Sequence, residues 1–69
     1  MSADPPSREV YFEFTAIGAV VKVTAIDSLT GLEVSIMGPA RTPQAELQRV
    51  ALQKLKAQLA RQQRAGSPG

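Results

Sequence analysis

The sequence predicts an α+β domain with a two-layer β-β-β-α order. A three-stranded antiparallel meander packs on one C-terminal amphipathic helix. Three observations carry this. Apolar residues recur at every second position as far as Met37, and at helical spacing from Leu47 onward. Two stretches with turn chemistry, Gly18-Ala19 and Asp27 to Gly31, divide the first part into strand-length runs. The charge also changes at the border. Residues 1–40 hold two basic residues and five acids, a balance of −3, whereas residues 41–69 hold six basic residues and one acid, a balance of +5.

The first strand is expected over Arg8 to Ile17. Val10, Phe12 and Phe14 alternate there with Glu9, Tyr11, Glu13 and Thr15, as in a half-buried strand. Gly18 suits the first central position of a two-residue type II′ turn. The second strand follows over Val20 to Ile26. A two-residue loop pairs Ile17 with Val20. It therefore sets Ala16 opposite Val21, Phe14 opposite Val23 and Phe12 opposite Ala25, all apolar and on one face. A slip of one residue destroys that agreement.

Asp27 and Ser28 can bond local backbone, and Gly31 can take a positive φ, so residues 27–31 read as the next turn. A four-residue loop from Ser28 to Gly31 puts Asp27 against Leu32, Ala25 against Val34 and Val23 against Ile36. A three-residue loop with a bulge at Gly31 puts Ile26 against Val34 and breaks the pattern. The third strand is expected over Leu32 to Met37, ended by Gly38-Pro39.

Thr42 reads as the helix N-cap and Pro43 as its first residue, where a missing N–H costs nothing. Glu46 in the first turn suits the helix dipole. The helix is expected to run to about Arg64. Leu47, Ala51, Leu55 and Leu59 form its apolar stripe, flanked by Leu52 and, more loosely, Val50. Arg49, Gln53, Lys56 and Arg64 fall on the opposite side. The domain thus spans residues 8–64, between a disordered leader over 1–7 and a disordered tail over 65–69.

One helix covers one sheet face. The other face receives Tyr11, Glu13, Thr15, Lys22, Thr24, Ile26, Glu33, Ser35 and Met37. A solvated face is ordinary for an antiparallel sheet. Tyr11, Ile26 and Met37 are more apolar than such a face needs, which makes them the candidate protein interface. Sixty-nine residues form at most one domain, and a chain this short buries only about 60% of its unfolded surface. With no cysteine there is no disulfide staple, so association is the remaining source of extra burial. A homodimer, or an unknown protein partner, is the expectation.

The chemistry is otherwise sparse. The chain has no histidine and no cysteine, so the commonest general base, thiol nucleophile and metal ligands are missing. No catalytic residue, metal site or cofactor is expected, and no small-molecule substrate is indicated. Glu13 and Glu33 share the open face but nothing builds a cleft around them. The glycines are spread over turns and tail, so no phosphate-cradling loop exists. No apolar run is long enough to span a membrane. The first residues lack signal-peptide character, so a cytoplasmic protein is expected. The second functional expectation is nucleic-acid contact through Arg49, Lys54, Lys56 and Arg61 on the basic helix.

Two resemblances add to this. The element order resembles the C-terminal part of a double-stranded-RNA-binding domain. That family has a helix before its sheet and clustered lysines at the start of its last helix. Here residues 1–7 cannot supply the first, and Thr42-Pro43-Gln44-Ala45-Glu46 stands in place of the second, so RNA binding is not carried over. A second pattern runs from Arg8 to Ala60. It comprises Glu9-Val10-Tyr11-Phe12-Glu13-Phe14, Val21-Lys22-Val23, Ala25-Ile26-Asp27, Thr30-Gly31, Gly38-Pro39, Ala51-Leu52 and Lys54-Leu55. It resembles a family of short alphaproteobacterial proteins with a domain of unknown function. That resemblance implies a bacterial cytoplasmic setting and brings no activity that attaches to residues here.

Overall fold

In a computed structural model, described here over residues 9–65, three strands precede one helix. The strands are β1 (Val10–Ile17), β2 (Val20–Asp27) and β3 (Glu33–Pro39), and the helix is α1 (Gln44–Ala65). The sheet is an antiparallel meander in the order β1-β2-β3. The expected leader over 1–7 and residues 66–69 of the expected tail lie outside the described residues. Among those described, no helix is long and apolar enough to cross a membrane.

The register is the one the apolar pairing demands. Phe12 lies opposite Ala25, Phe14 opposite Val23 and Ala16 opposite Val21. Ala25 in turn faces Val34, and Val23 faces Ile36. Gly18 has φ 60° and, among the described residues, no non-glycine residue has a positive φ, which is the type II′ pattern for Gly18-Ala19. The second connection is the four-residue loop. The Asp27 N–H donates to the Leu32 carbonyl at 2.9 Å, and the Gly31 N–H donates to the Asp27 carbonyl at 2.8 Å, with Gly31 at φ 75°.

Several boundaries differ by a residue or two from the sequence expectation, and two of these differences have a physical reason. β3 continues through Gly38 and Pro39, which pair with Val21 and Val20. The ladder tolerates proline there because β3 is an edge strand and the Pro39 nitrogen points away from β2. Beyond it the Ala40 N–H donates to the Ala19 carbonyl at 2.8 Å. The helix starts one residue later than Thr42-Pro43 predicts. The Pro43 carbonyl accepts from the Glu46 and Leu47 N–H groups, while the Thr42 N–H closes a turn onto the Pro39 carbonyl. Pro43 therefore sits at the threshold and Thr42 belongs to the preceding turn.

The core is Val23, Ala25 and Val34 of the sheet against Leu47, Ala51, Leu55 and Leu59 of the helix. All four stripe residues are buried, Leu52 is half-buried and Val50 is 40% exposed, outside the stripe. The expectation that the helix covers the whole face needs correction. α1 packs on β2 and β3, so Val10, Phe12 and Phe14 of β1 are only half-buried at the core's margin.

Gly38 helps set that placement. A Cβ built there would meet the Leu47 Cδ2 at 2.6 Å, so the bare position gives the Leu47 side chain its room against β3. Gly38→Val is expected to cost about 2 kcal/mol through overpacking. A urea unfolding curve with an unchanged midpoint would show that Leu47 has room to move.

Candidate interaction surface

The register places the open-face residues in four cross-strand rows. They are Tyr11–Ile26–Glu33, Glu13–Thr24–Ser35, Thr15–Lys22–Met37 and Ile17–Val20–Pro39. The second row is polar, and the Thr24 and Ser35 hydroxyls are bonded to each other at 2.9 Å. It separates two apolar corners. Tyr11 and Ile26 are neighbours in one corner. Met37 lies on the far side, nearer the hairpin tip with Ile17 and Val20. Tyr11 is 55% exposed and Met37 59% exposed, whereas Ile26 is half-buried. The three candidate interface residues thus share a face without forming one continuous patch.

Tyr11 is tied down at its polar end. Its hydroxyl donates to the Glu9 Oε1 at 2.6 Å. That bond, together with the nearby carboxylate charge, raises the phenol pKa above its usual value. Glu13 and Glu33 lie on the two outer strands in different rows and are not opposed. Among the described residues no three of histidine, cysteine, aspartate and glutamate come together as a metal site would require.

The helix-side face also carries uncovered apolar surface. Where α1 leaves β1, an open groove of about 390 Å³ runs between the sheet and the start of the helix. Phe14, Ala16, Val21 and Leu47 supply its apolar walls, and Thr42 and Gln44 stand at the helix end. Together with Phe12, this marks β1 as the flank with the most unfinished packing.

The basic helix residues do not form one stripe. At 100° per residue, Arg49 and Lys56 point one way, and Lys54 and Arg61 point roughly 140° away from them. Two of the four are engaged within the chain. Arg49 pairs with Glu46 at 2.8 Å on the exposed helix surface, a contact worth at most a few tenths of a kcal/mol. The Lys54 Nζ donates to the Ser35 carbonyl at 2.7 Å, bridging the helix to the outer edge of β3. Of these four, Lys56 and Arg61 have no partner among the described residues.

Sequence reasoning missed three features. One is the Lys54–Ser35 bridge, which needs the helix position to be known. Another is Pro39 inside β3, signalled only by its being on an edge. The third is Asp27, read as a turn residue but fully buried at the end of β2.

Residues 7–62 match a family described as a domain of unknown function, DUF6898. Comparison with the curated proteins and comparison with solved structures each gave no match.

Proposed function

Since the chain belongs to the DUF6898 family of domains of unknown function, we propose its role from its surface: it is a small non-catalytic interaction module that binds protein and self-associates through its sheet. One observation carries this. The helix covers β2 and β3 and leaves Phe12 and Phe14, two large aromatic side chains on the core-facing side, only partly buried at the core's margin. A 69-residue chain has little apolar area to spare. Association completes the burial that one helix cannot provide. The absence of catalysis and a cytoplasmic setting belong to the same proposal. Nucleic-acid contact is less well supported, because Arg49 and Lys54 already have partners within the chain.

Sedimentation velocity over a dilution series tests this. A dimer that dissociates on dilution is the expected result. A monomer at every accessible concentration would end the self-associating reading. Steeply salt-dependent binding of duplex nucleic acid, lost on removing charge at Lys56 and Arg61, would replace it with the nucleic-acid reading.

A further inference from the structure

We infer that two copies join edge to edge through β1, in one antiparallel register centred on Phe12, to form a continuous six-stranded sheet with both helices on the same side. This rests on the self-associating reading above and specifies its geometry. The observation behind it is the difference between the two sheet edges.

In an antiparallel ladder alternate residues turn their N–H and C=O toward the neighbour, and the rest turn outward. The Ser28 N–H donates to the Glu9 carbonyl, so Glu9, Tyr11, Glu13, Thr15 and Ile17 face β2. Val10, Phe12, Phe14 and Ala16 therefore present their backbone groups to the outside. On the other edge, the Asp27–Leu32 and Ala40–Ala19 bonds show that Leu32, Val34, Ile36 and Gly38 face β2. Glu33, Ser35, Met37 and Pro39 turn outward.

The β3 edge is blunted. Its Ser35 carbonyl is occupied by Lys54, and at Pro39 the outward position has no N–H to offer. Lysine and proline are common means of protecting an edge from unwanted pairing. β1 has neither. Val10–Ile17 contains no lysine, arginine, proline or glycine, and its pairing with β2 runs unbroken, without a bulge. Among the described residues nothing covers its outer backbone groups. An unprotected eight-residue edge beside half-buried aromatics is a surface built for pairing.

The sequence of β1 favours a second copy as the occupant. Directly opposed residues in a ladder are either both bonded or both unbonded. The outward residues Val10, Phe12, Phe14 and Ala16 must therefore oppose one another. That condition puts both helices on one face and brings the half-buried aromatics of the two copies together between them. Four such registers pair at least five of the eight residues, and the one centred on Thr15 leaves Val10 and Phe12 with no strand residue opposite. One sets Glu13 against Glu13 of the second copy, a like-charge pair at the close spacing of unbonded residues, which is unfavourable. One centred on Phe14 sets Phe12 against small Ala16. The register centred on Phe12 sets Phe12 against Phe12 and Val10 against Phe14. It also places Tyr11 against Glu13 on the open face, so no like charges are directly opposed and the bulky apolar residues pair with each other.

Amide hydrogen exchange on the wild-type protein across a dilution series tests this directly. The Val10, Phe12 and Phe14 amides should slow with rising concentration, by the factor by which sedimentation shows dimer to exceed monomer. The Tyr11, Glu13 and Thr15 amides, already bonded to β2, should not follow. Protection of Val10, Phe12 and Phe14 that ignores concentration would mean another part of the same chain covers the edge, and would overturn the proposal. A dimer with these amides unprotected would overturn the edge assignment and leave self-association standing; a monomer throughout would remove both. The register has its own test, because the chain has no cysteine of its own. Tyr11→Cys mixed with Glu13→Cys should form a disulfide under mild oxidation, since unbonded opposed residues lie about 4.5 Å apart at Cα. Glu13→Cys linking only to itself would overturn the Phe12-centred register. Phe12→Lys should be monomeric, and Lys54→Ala should remain a dimer.

Discussion

Asp27→Ala is expected to lower stability by about 3 kcal/mol, a large part of the roughly 3 to 10 kcal/mol that a domain of this length holds. The side chain is fully buried and organises the loop between β2 and β3. Its Oδ2 accepts from the Thr30 N–H at 2.9 Å and from the Thr30 hydroxyl at 2.8 Å. The Thr30 hydroxyl oxygen in turn accepts from the Leu32 N–H at 3.1 Å. Alanine removes the acceptor, leaves two donors of Thr30 without it, and opens a void at the end of the sheet. Bonds to a charged acceptor contribute more than neutral ones, and groups stranded by the change incur a further desolvation cost. Asp27→Asn keeps the shape and one acceptor, so it should lose about 1 kcal/mol. Urea unfolding followed by circular dichroism compares the three proteins. If the alanine variant unfolds at the wild-type midpoint, the carboxylate does not hold this loop.

Asp27 also shows where a sequence stops being readable. Its neighbours Ser28, Thr30 and Gly31 announce a turn, and the turn is there. The depth of the side chain is not announced, because burial depends on where β1 and β3 end relative to β2. The strand register was legible for the opposite reason. Each apolar pair, Phe12–Ala25, Phe14–Val23, Ala25–Val34 and Val23–Ile36, tests the alignment independently, and a slip by one residue fails them all. The helix stripe was legible too. Its lateral position was not, because periodicity identifies the buried face of a helix but not the strands beneath it. Gly38 held part of the missing signal: a bare position on the helix side of β3 leaves room there for Leu47. The partly buried β1 aromatics and the Lys54 bridge go with that placement of the helix. The residues expected at the interface, Tyr11, Ile26 and Met37, were assigned correctly to one face. Pairing alone could not show that the Thr24–Ser35 row divides them.

Leu55→Ala is the second large effect, expected at about 3 kcal/mol. Leu55 is among the largest fully buried side chains and lies at the middle of the stripe, between Ala51 and Leu59. Helices of this kind draw most of their stability from tertiary packing, so a cavity under the centre loosens both layers together. Leu59, near the end of the stripe and slightly exposed, should cost less on truncation. The size of the Leu55 loss also separates two sources of stability. A core contact within one copy contributes equally at every protein concentration. Burial at an interface contributes more as concentration rises, by mass action. Thermal unfolding over a dilution series should therefore show wild type and Leu55→Ala with parallel midpoints that both climb with concentration. Phe12→Lys should show a midpoint that does not climb. A wild-type midpoint that ignores concentration would mean that the half-buried β1 aromatics are tolerated in water and that the three-strand, one-helix unit is stable alone.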